Sequence, residues 1–126
     1  MSKQAWGIVP KVREVDALLR KDARLAARVF EVHPEVSFAA WAGEPMRHSK
    51  KKSAGRLDRQ QLIRAEWPDA ITTCRATLAG GRYALDDLYD AFAALWTARR
   101  ILVKKSRTIP SIPAIDADGL PMRIAV

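Results

Sequence analysis

Three aspartates at the start of a long apolar segment are the first candidates for chemistry. The sequence DDLYDA contains Asp86, Asp87 and Asp90, and the last two share a face of the predicted helix because they lie three residues apart. Like charges at this spacing repel unless a cation lies between them. Because Mg²⁺ binds a few carboxylates together with waters and phosphate oxygens, Asp87 and Asp90 are candidate metal ligands. The alternative interpretation is a helix start with acids that suit its dipole.

A second pair of carboxylates lies in VFEVHPE, residues 29–35. Glu31 interrupts a run of β-branched and aromatic residues that predicts a strand over residues 28–33, and Glu35 follows soon after. Open α/β sheets collect ligands at the carboxyl ends of their strands, which makes Glu31 a candidate for binding or catalysis. Alternation along a strand also permits a sheet with one wet face that carries Glu31, and this interpretation stays open.

The basic residues are concentrated in one tract. The chain has 22 Lys and Arg against 14 Asp and Glu, a net charge of +8. Residues 47–64 hold seven basic residues and one acid, so this tract carries +6 of that charge. Such a tract neutralises phosphates and favours nucleic acid as the partner, although a solvated flexible loop is the alternative. The candidate nucleic-acid-binding residues are Lys50, Lys51, Lys52 and Arg56.

The remaining composition restricts the class of protein. A chain of 126 residues forms at most one domain, and with 48% apolar residues it can build a core. Cys74 is a lone thiol without a zinc-ligand or nucleophile pattern around it, which fits a reducing cytoplasm. We expect a cytoplasmic protein without a membrane anchor, because the first residues lack an apolar signal core and no apolar run approaches the ~20 residues of a membrane span.

Helices must position most of these residues. The most regular is predicted over residues 85–104, where the apolar residues form one stripe. Further helices are predicted near residues 10–20, 34–43, 56–67 and 68–78. The one clear strand is predicted near residues 28–33, a short terminal strand is expected near 121–125, and residues 105–119 are expected to form a connector. The expected fold class is α/β and helix-rich, with few strands for a stable sheet.

Five segments taken in order resemble the C-terminal part of the four-twenty-nine family of domains of unknown function. The segments are QAWGIVPKVREVDALL, VFEVHPEVSFAAWAGEP, HSKKKSAGRLDR, DDLYDAFAALWTARRI and DADGLPMRI, and they cover nearly the whole chain. Members are described as predicted nucleases with an RNase H-like fold, related to RuvC-type junction resolvases. The resemblance implies a hydrolase that cleaves phosphodiester bonds with Mg²⁺ or Mn²⁺ as the cofactor.

The resemblance also implies roles for individual residues. Glu31 corresponds to the acid of the fourth strand, and Asp87 and Asp90 correspond to acids of a late helix. These three are therefore the implied catalytic residues and metal ligands, while Glu35 matches the second acid of the family's HPE motif. Carboxylates in such sites hold two cations that stabilise the attacking and leaving oxygens.

One departure from the family pattern changes these expectations. Family members begin with a glycine-rich strand that carries an aspartate, whereas the first aspartate here, Asp16, lies in a predicted helix. We therefore expect a single partial RNase H-like domain over residues 1–126, without the first-strand aspartate, whose activity alone stays open. The expected partners are nucleic acid and either a second copy of the chain or a separate chain that supplies the N-terminal half. The alternative is a non-catalytic basic protein that binds nucleic acid or another partner.

Overall fold

The structure is a computed structural model that describes residues 3–126, with side chains from residue 6 onward. Within these residues six helices and two strands form, so the helix-rich α/β class predicted from the sequence is confirmed. The helices are α1 (Lys3–Lys21), α2 (Ala23–Ala26), α3 (Pro34–Ala42), α4 (Ser53–Glu66), α5 (Ala70–Thr77) and α6 (Leu85–Leu102). The strands are β1 (Thr108–Ile115) and β2 (Pro121–Ala125), which pair antiparallel. No helix in the described part of the chain is long and apolar enough to cross a membrane.

The chain divides into two compact units, and the first comprises the residues up to Glu31 together with Thr108–Ile124. It contains α1, α2 and the β1–β2 hairpin. Asp116 closes the hairpin turn, because its Oδ1 accepts hydrogen bonds from the backbone N–H groups of Asp118 at 2.9 Å and Leu120 at 2.8 Å. The side chain thus accepts hydrogen bonds from backbone N–H groups of the turn, which lie outside the hydrogen-bonded ladder of the two strands.

The second unit, Val32–Arg107 with Ala125–Val126, contains the larger apolar core. Helix α6 packs against α3 and α4, and α4 also packs against α5. The core residues are Phe38, Ile63, Ile71, Leu88, Tyr89, Phe92 and Ala93. A buried hydrogen bond of 2.9 Å between the hydroxyl groups of Ser37 and Thr97 joins α3 to α6. This unit therefore contains Asp87, Asp90 and the predicted phosphate contacts Lys50, Lys51, Lys52 and Arg56.

The prediction of a strand over residues 28–33 is wrong. Within this segment only Val32 forms a β-bridge, parallel to Ala125, and residues 29–31 pair with no strand. The apolar and β-branched composition predicted an extended segment, but a strand also requires a neighbouring strand along its length. Among the described residues, the only strands that pair as a ladder are β1 and β2.

Two further boundaries differ from the sequence prediction. Helix α1 begins at Lys3 and includes Pro10, whereas the prediction started the helix near that proline. A proline removes one backbone hydrogen bond but keeps a helical φ, and the helix continues through it. Strand β1 replaces the predicted connector, although it contains Pro110 and Pro113. Strands of a two-stranded sheet each have a free edge, where a missing N–H breaks no ladder hydrogen bond. The predicted terminal strand is confirmed as β2.

Candidate acidic site and nucleic-acid interface

An ion pair between Lys50 and Asp90 forms the centre of the candidate site. The Lys50 ammonium donates to Asp90 Oδ2 at 2.7 Å and joins the loop before α4 to the second turn of α6. This hydrogen bond raises the pKa of Lys50, partial burial opposes the rise, and the negative charges of Asp90, Glu35 and Asp86 add to it. We call Lys50 and the three carboxylates that raise its pKa, Glu35, Asp86 and Asp90, the acidic cluster. Asp90 is the member whose carboxylate contacts the ammonium.

Arg59, on the buried face of α4, forms hydrogen bonds with Glu35 and with the loop that precedes α4. Its side chain is 1% exposed, and its Nη2 and Nε donate to the two carboxylate oxygens of Glu35 at 2.5 and 3.3 Å. Its Nη1 donates to the backbone carbonyls of Gly55 at 2.5 Å and His48 at 3.2 Å. The guanidinium also lies over the ring of Phe38, 5.5 Å from the centroid. A buried charge is tolerated when it is paired and hydrogen-bonded, and Arg59 meets both conditions.

Gly55 lets the loop that precedes α4 approach the helix closely. A Cβ atom at this position would clash with the carbonyl of Ser49 and would lie 2.7 Å from the carbonyl oxygen of His48. Only glycine fits against two backbone carbonyls at this distance. The loop that carries Lys50 is therefore fixed at its base by backbone contact with α4 and by the hydrogen bond from Arg59.

The two neighbouring aspartates of α6 have different surroundings. Asp87 is exposed, and its Oδ2 accepts a hydrogen bond of 3.2 Å from the backbone N–H of Ala84, so it caps the start of the helix. Asp86 is half-buried, and its charge contributes to the raised pKa of Lys50. The structure therefore gives Asp87 a capping contact and includes Asp86 in the acidic cluster.

Glu31, the remaining predicted ligand, lies in the first unit and is exposed. Asp87 and Asp90 both lie in the second unit. Of the three residues predicted as catalytic and metal-binding, Asp90 is the member of the acidic cluster around Lys50. The assignment of these three residues to catalysis stays a prediction.

Three of the four predicted phosphate contacts are exposed cations at the start of α4. Lys51 and Lys52 end the loop, and Arg56 follows Lys52 by one helical turn. The ion pairs of the described residues include none of these three, which we call the basic loop. Lys50, the fourth, instead turns its ammonium towards Asp90. The basic loop therefore carries positive charge that these ion pairs do not neutralise, and in the sequence it directly follows Lys50 of the acidic cluster.

Comparison with known proteins identifies the family. A family model described as "Protein of unknown function (DUF429)" matches residues 1–115. The chain belongs to the DUF429 family. No curated protein and no solved structure matches it. The DUF429 match extends from α1 to β1 and includes every residue of the acidic cluster and the basic loop.

The described residues of this DUF429 chain do not present a complete set of metal ligands. Between residues 3 and 126, no three His, Cys, Asp or Glu side chains come together closely enough to hold a metal ion. Asp90 is paired with Lys50 and Glu35 with Arg59. Asp90 Oδ1 is buried without a hydrogen-bond partner among the described residues, so one of the two carboxylate oxygens of Asp90 is unpaired. Divalent cations require several oxygen ligands, so these residues alone do not fit the Mg²⁺ or Mn²⁺ site that the resemblance implies.

Sequence reasoning missed Arg59 as the residue that organises this DUF429 site. Gly55, Arg59 and Ile63 lie four residues apart and form the buried face of α4. That spacing indicates that the three residues share the inner face of the helix. Arg59 is also one of seven basic residues in one tract, however, and such a tract predicts that its side chains are exposed to solvent. Asp86 had no signal of its own, because the sequence pattern gives adjacent Asp86 and Asp87 the same chemistry.

Proposed function

We propose that this DUF429 chain binds the phosphodiester backbone of nucleic acid and contributes carboxylates to an RNase H-like nuclease site. The supporting observation is that the basic loop adjoins the acidic cluster: Lys51 and Lys52 directly follow Lys50, whose ammonium contacts Asp90. A backbone bound along the basic loop would pass beside Asp90. Cations that neutralise phosphates supply affinity by counterion release and place the strand without reading its bases.

The RNase H-like fold that the resemblance implies and the acidic cluster together support the nuclease part of the proposal. Carboxylates close to bound phosphates are the arrangement that metal-dependent phosphodiester hydrolysis requires. Lys50 and Arg59 now balance two of these carboxylates, so the cluster is a contribution to such a site and lacks the ligands of a complete one. Further ligands from outside the cluster are needed for hydrolysis.

A second candidate function is nucleic-acid binding without catalysis. The Lys50–Asp90 and Arg59–Glu35 pairs favour it, because they neutralise the carboxylates that a divalent cation would need. In this alternative the acids have a structural task. They hold the loop and α4 so that the basic loop faces solvent.

Fluorescence anisotropy with labelled single-stranded and duplex oligonucleotides tests the binding surface. The loop variant replaces the exposed cations of the basic loop with glutamine: Lys51, Lys52 and Arg56. The control variant removes the same charge from exposed residues of α1: Lys11, Arg13 and Lys21. Each duplex phosphate contact contributes about 0.9 to the slope of log K against log salt, so we expect the loop variant to lose about 3 in slope. Equal affinities of the two variants would overturn the assigned surface.

A Mn²⁺ titration followed by amide NMR distinguishes the two candidate functions. Paramagnetic Mn²⁺ broadens the signals of nearby amides, so a nuclease contribution predicts selective broadening around Glu35, Asp86 and Asp90. The Asp90→Asn variant should lose that broadening, because it removes the charge of the carboxylate whose Oδ1 accepts no hydrogen bond. Uniform or absent broadening, together with salt-dependent binding of the oligonucleotide, would favour nucleic-acid binding without catalysis.

A further inference from the structure

The groove between α4 and α5 in the larger unit is a pocket that cationic side chains line. The pocket has a volume of about 330 Å³. Its lining residues come from both helices: Gln60, Arg64, Ile71, Thr72, Arg75 and Ala76. Residues four apart on each helix face the pocket on successive turns, as Gln60 and Arg64 do on α4. The groove thus belongs to the packed contact of two helices.

The two arginines of this groove have no counterion in the described part of the chain. Four other arginines form ion pairs with carboxylates: Arg20, Arg47, Arg59 and Arg99. Those ion pairs include neither Arg64 nor Arg75, and the described lining contains no Asp or Glu. Arg64 of α4 and Arg75 of α5 are exposed residues that line one pocket, and their positive charge is not neutralised by these ion pairs. This charge favours an anionic ligand.

The polar groups of the walls suit an oxyanion. A guanidinium group presents a planar fork of N–H donors that matches two oxygens of a phosphate, and the Thr72 hydroxyl supplies another donor. The side-chain amide of Gln60 donates to the hydroxyl of Tyr89, which is 1% exposed, and this bond fixes one wall to the core. Ile71 is buried in the same core and fixes the other wall. The donors therefore project from helices that are held in place.

We propose that the α4–α5 groove binds the phosphate group of a nucleotide through Arg64, Arg75 and Thr72. The pocket volume falls at the lower end of the range for small-ligand sites, ~300–1,000 Å³, and is larger than inorganic phosphate alone requires. The nucleotide is either a free mononucleotide or the phosphorylated end of a strand, since both present the same phosphate ester. This site does not use the basic loop, so it does not rest on nucleic-acid binding there.

Titration of ¹⁵N-labelled protein with inorganic phosphate at constant ionic strength tests the site. We expect saturable shifts of the Arg64 and Arg75 Nε–H signals and of the Thr72 amide. Losing one charge-assisted hydrogen-bonding group should weaken phosphate binding about tenfold or more in Arg64→Gln and in Arg75→Gln. The matched control is Arg82→Gln, which removes an exposed arginine outside the pocket and should leave the affinity unchanged.

Further titrations identify the source of the phosphate, and a third variant keeps the test valid if an arginine variant does not fold. Tighter binding of a 5′-mononucleotide than of inorganic phosphate supports a free nucleotide as the ligand. Tighter binding of a 5′-phosphorylated oligonucleotide than of the mononucleotide, retained in the loop variant, supports the end of a strand. Thr72→Val keeps both charges and should weaken binding severalfold even if an arginine variant fails to fold. Shifts that do not saturate, or equal phosphate affinity in Arg75→Gln and Arg82→Gln, would overturn the proposal.

Discussion

Replacing Arg59 with methionine tests the contact that joins α3, α4 and the preceding loop. Methionine keeps much of the side-chain length but cannot donate, so the change removes the ion pair without leaving a large cavity. Glu35 loses both guanidinium hydrogen bonds, and the carbonyls of His48 and Gly55 lose their donor. Every one of these groups belongs to the second unit.

The expected loss follows from how deeply each partner is buried. Removing one partner of a buried ion pair costs about 3–5 kcal/mol, because the other charge is left without compensation. Arg59 is 1% exposed and Glu35 is 36% exposed, so water stabilises part of the stranded carboxylate. We therefore expect the free energy of unfolding to fall by about 3 kcal/mol, the low end of that range. Adding Glu35→Gln should recover about 1 kcal/mol or more, since it removes the stranded charge.

Urea unfolding followed by tryptophan fluorescence measures this loss in the second unit. Trp41 of α3 lies 5.3 Å from Trp96 of α6 and 5.5 Å from Trp67, which follows α4, between ring centroids, so these three rings report on the packing of the second unit. Arg47→Met is the matched control, because its side chain is 75% exposed. We expect that control to change the free energy by less than about 0.5 kcal/mol. If Arg59→Met costs less than about 1 kcal/mol, or no more than the control, the buried pair does not stabilise the fold as argued.

Three further predictions concern the same unit. Gly55→Ala places a Cβ against the carbonyl of Ser49, and urea unfolding should show a loss of about 2 kcal/mol; an unchanged midpoint would contradict the close approach. Asp87→Ala removes the cap on the Ala84 amide and should cost about 1 kcal/mol in thermal unfolding, whereas no loss would show that the cap is idle. The folded pKa of Lys50 is raised, so its contribution is present below the unfolded pKa and is lost as pH rises through the folded pKa. As pH rises above the ordinary pKa of lysine, the free energy of unfolding should therefore fall more steeply in the wild type than in Lys50→Met, and parallel curves would refute this.

The helices could be predicted where local residues determine both their ends. Pro34 occupies the first turn of α3, and Gly43 follows its last residue with a φ of 78°, so both boundaries of that helix are encoded locally. Strand β1 could not be predicted in the same way, because Pro110 and Pro113 argue against a strand unless its free edge is known. The segment near Glu31 had strand-forming residues, but strand formation depends on a partner that its own sequence does not specify.

The candidate site shows the same division between local and distant information. The sequence identified Asp90 as a candidate metal ligand and Lys50 as a candidate phosphate contact, whereas in the structure the two residues pair with each other. Their contact joins residues 40 positions apart, and the contact between Arg59 and Glu35 spans 24 positions. Charge patterns locate residues that need a counterion, whereas only the packing of α3, α4 and α6 decides which counterion each one receives.

The loop tied down by Gly55 and Arg59 has few conformations left to lose when a ligand arrives. A flexible basic segment that orders on binding gives up conformational entropy, and this loss subtracts from its affinity. Here folding itself orders the backbone before Lys51 and Lys52, so a bound phosphate restricts mainly their side-chain rotamers. The entropy of binding should then come chiefly from released counterions, and calorimetry should show only a small change in heat capacity. Arg59 would contact no phosphate, yet by ordering the loop it would reduce the conformational entropy lost when a ligand binds.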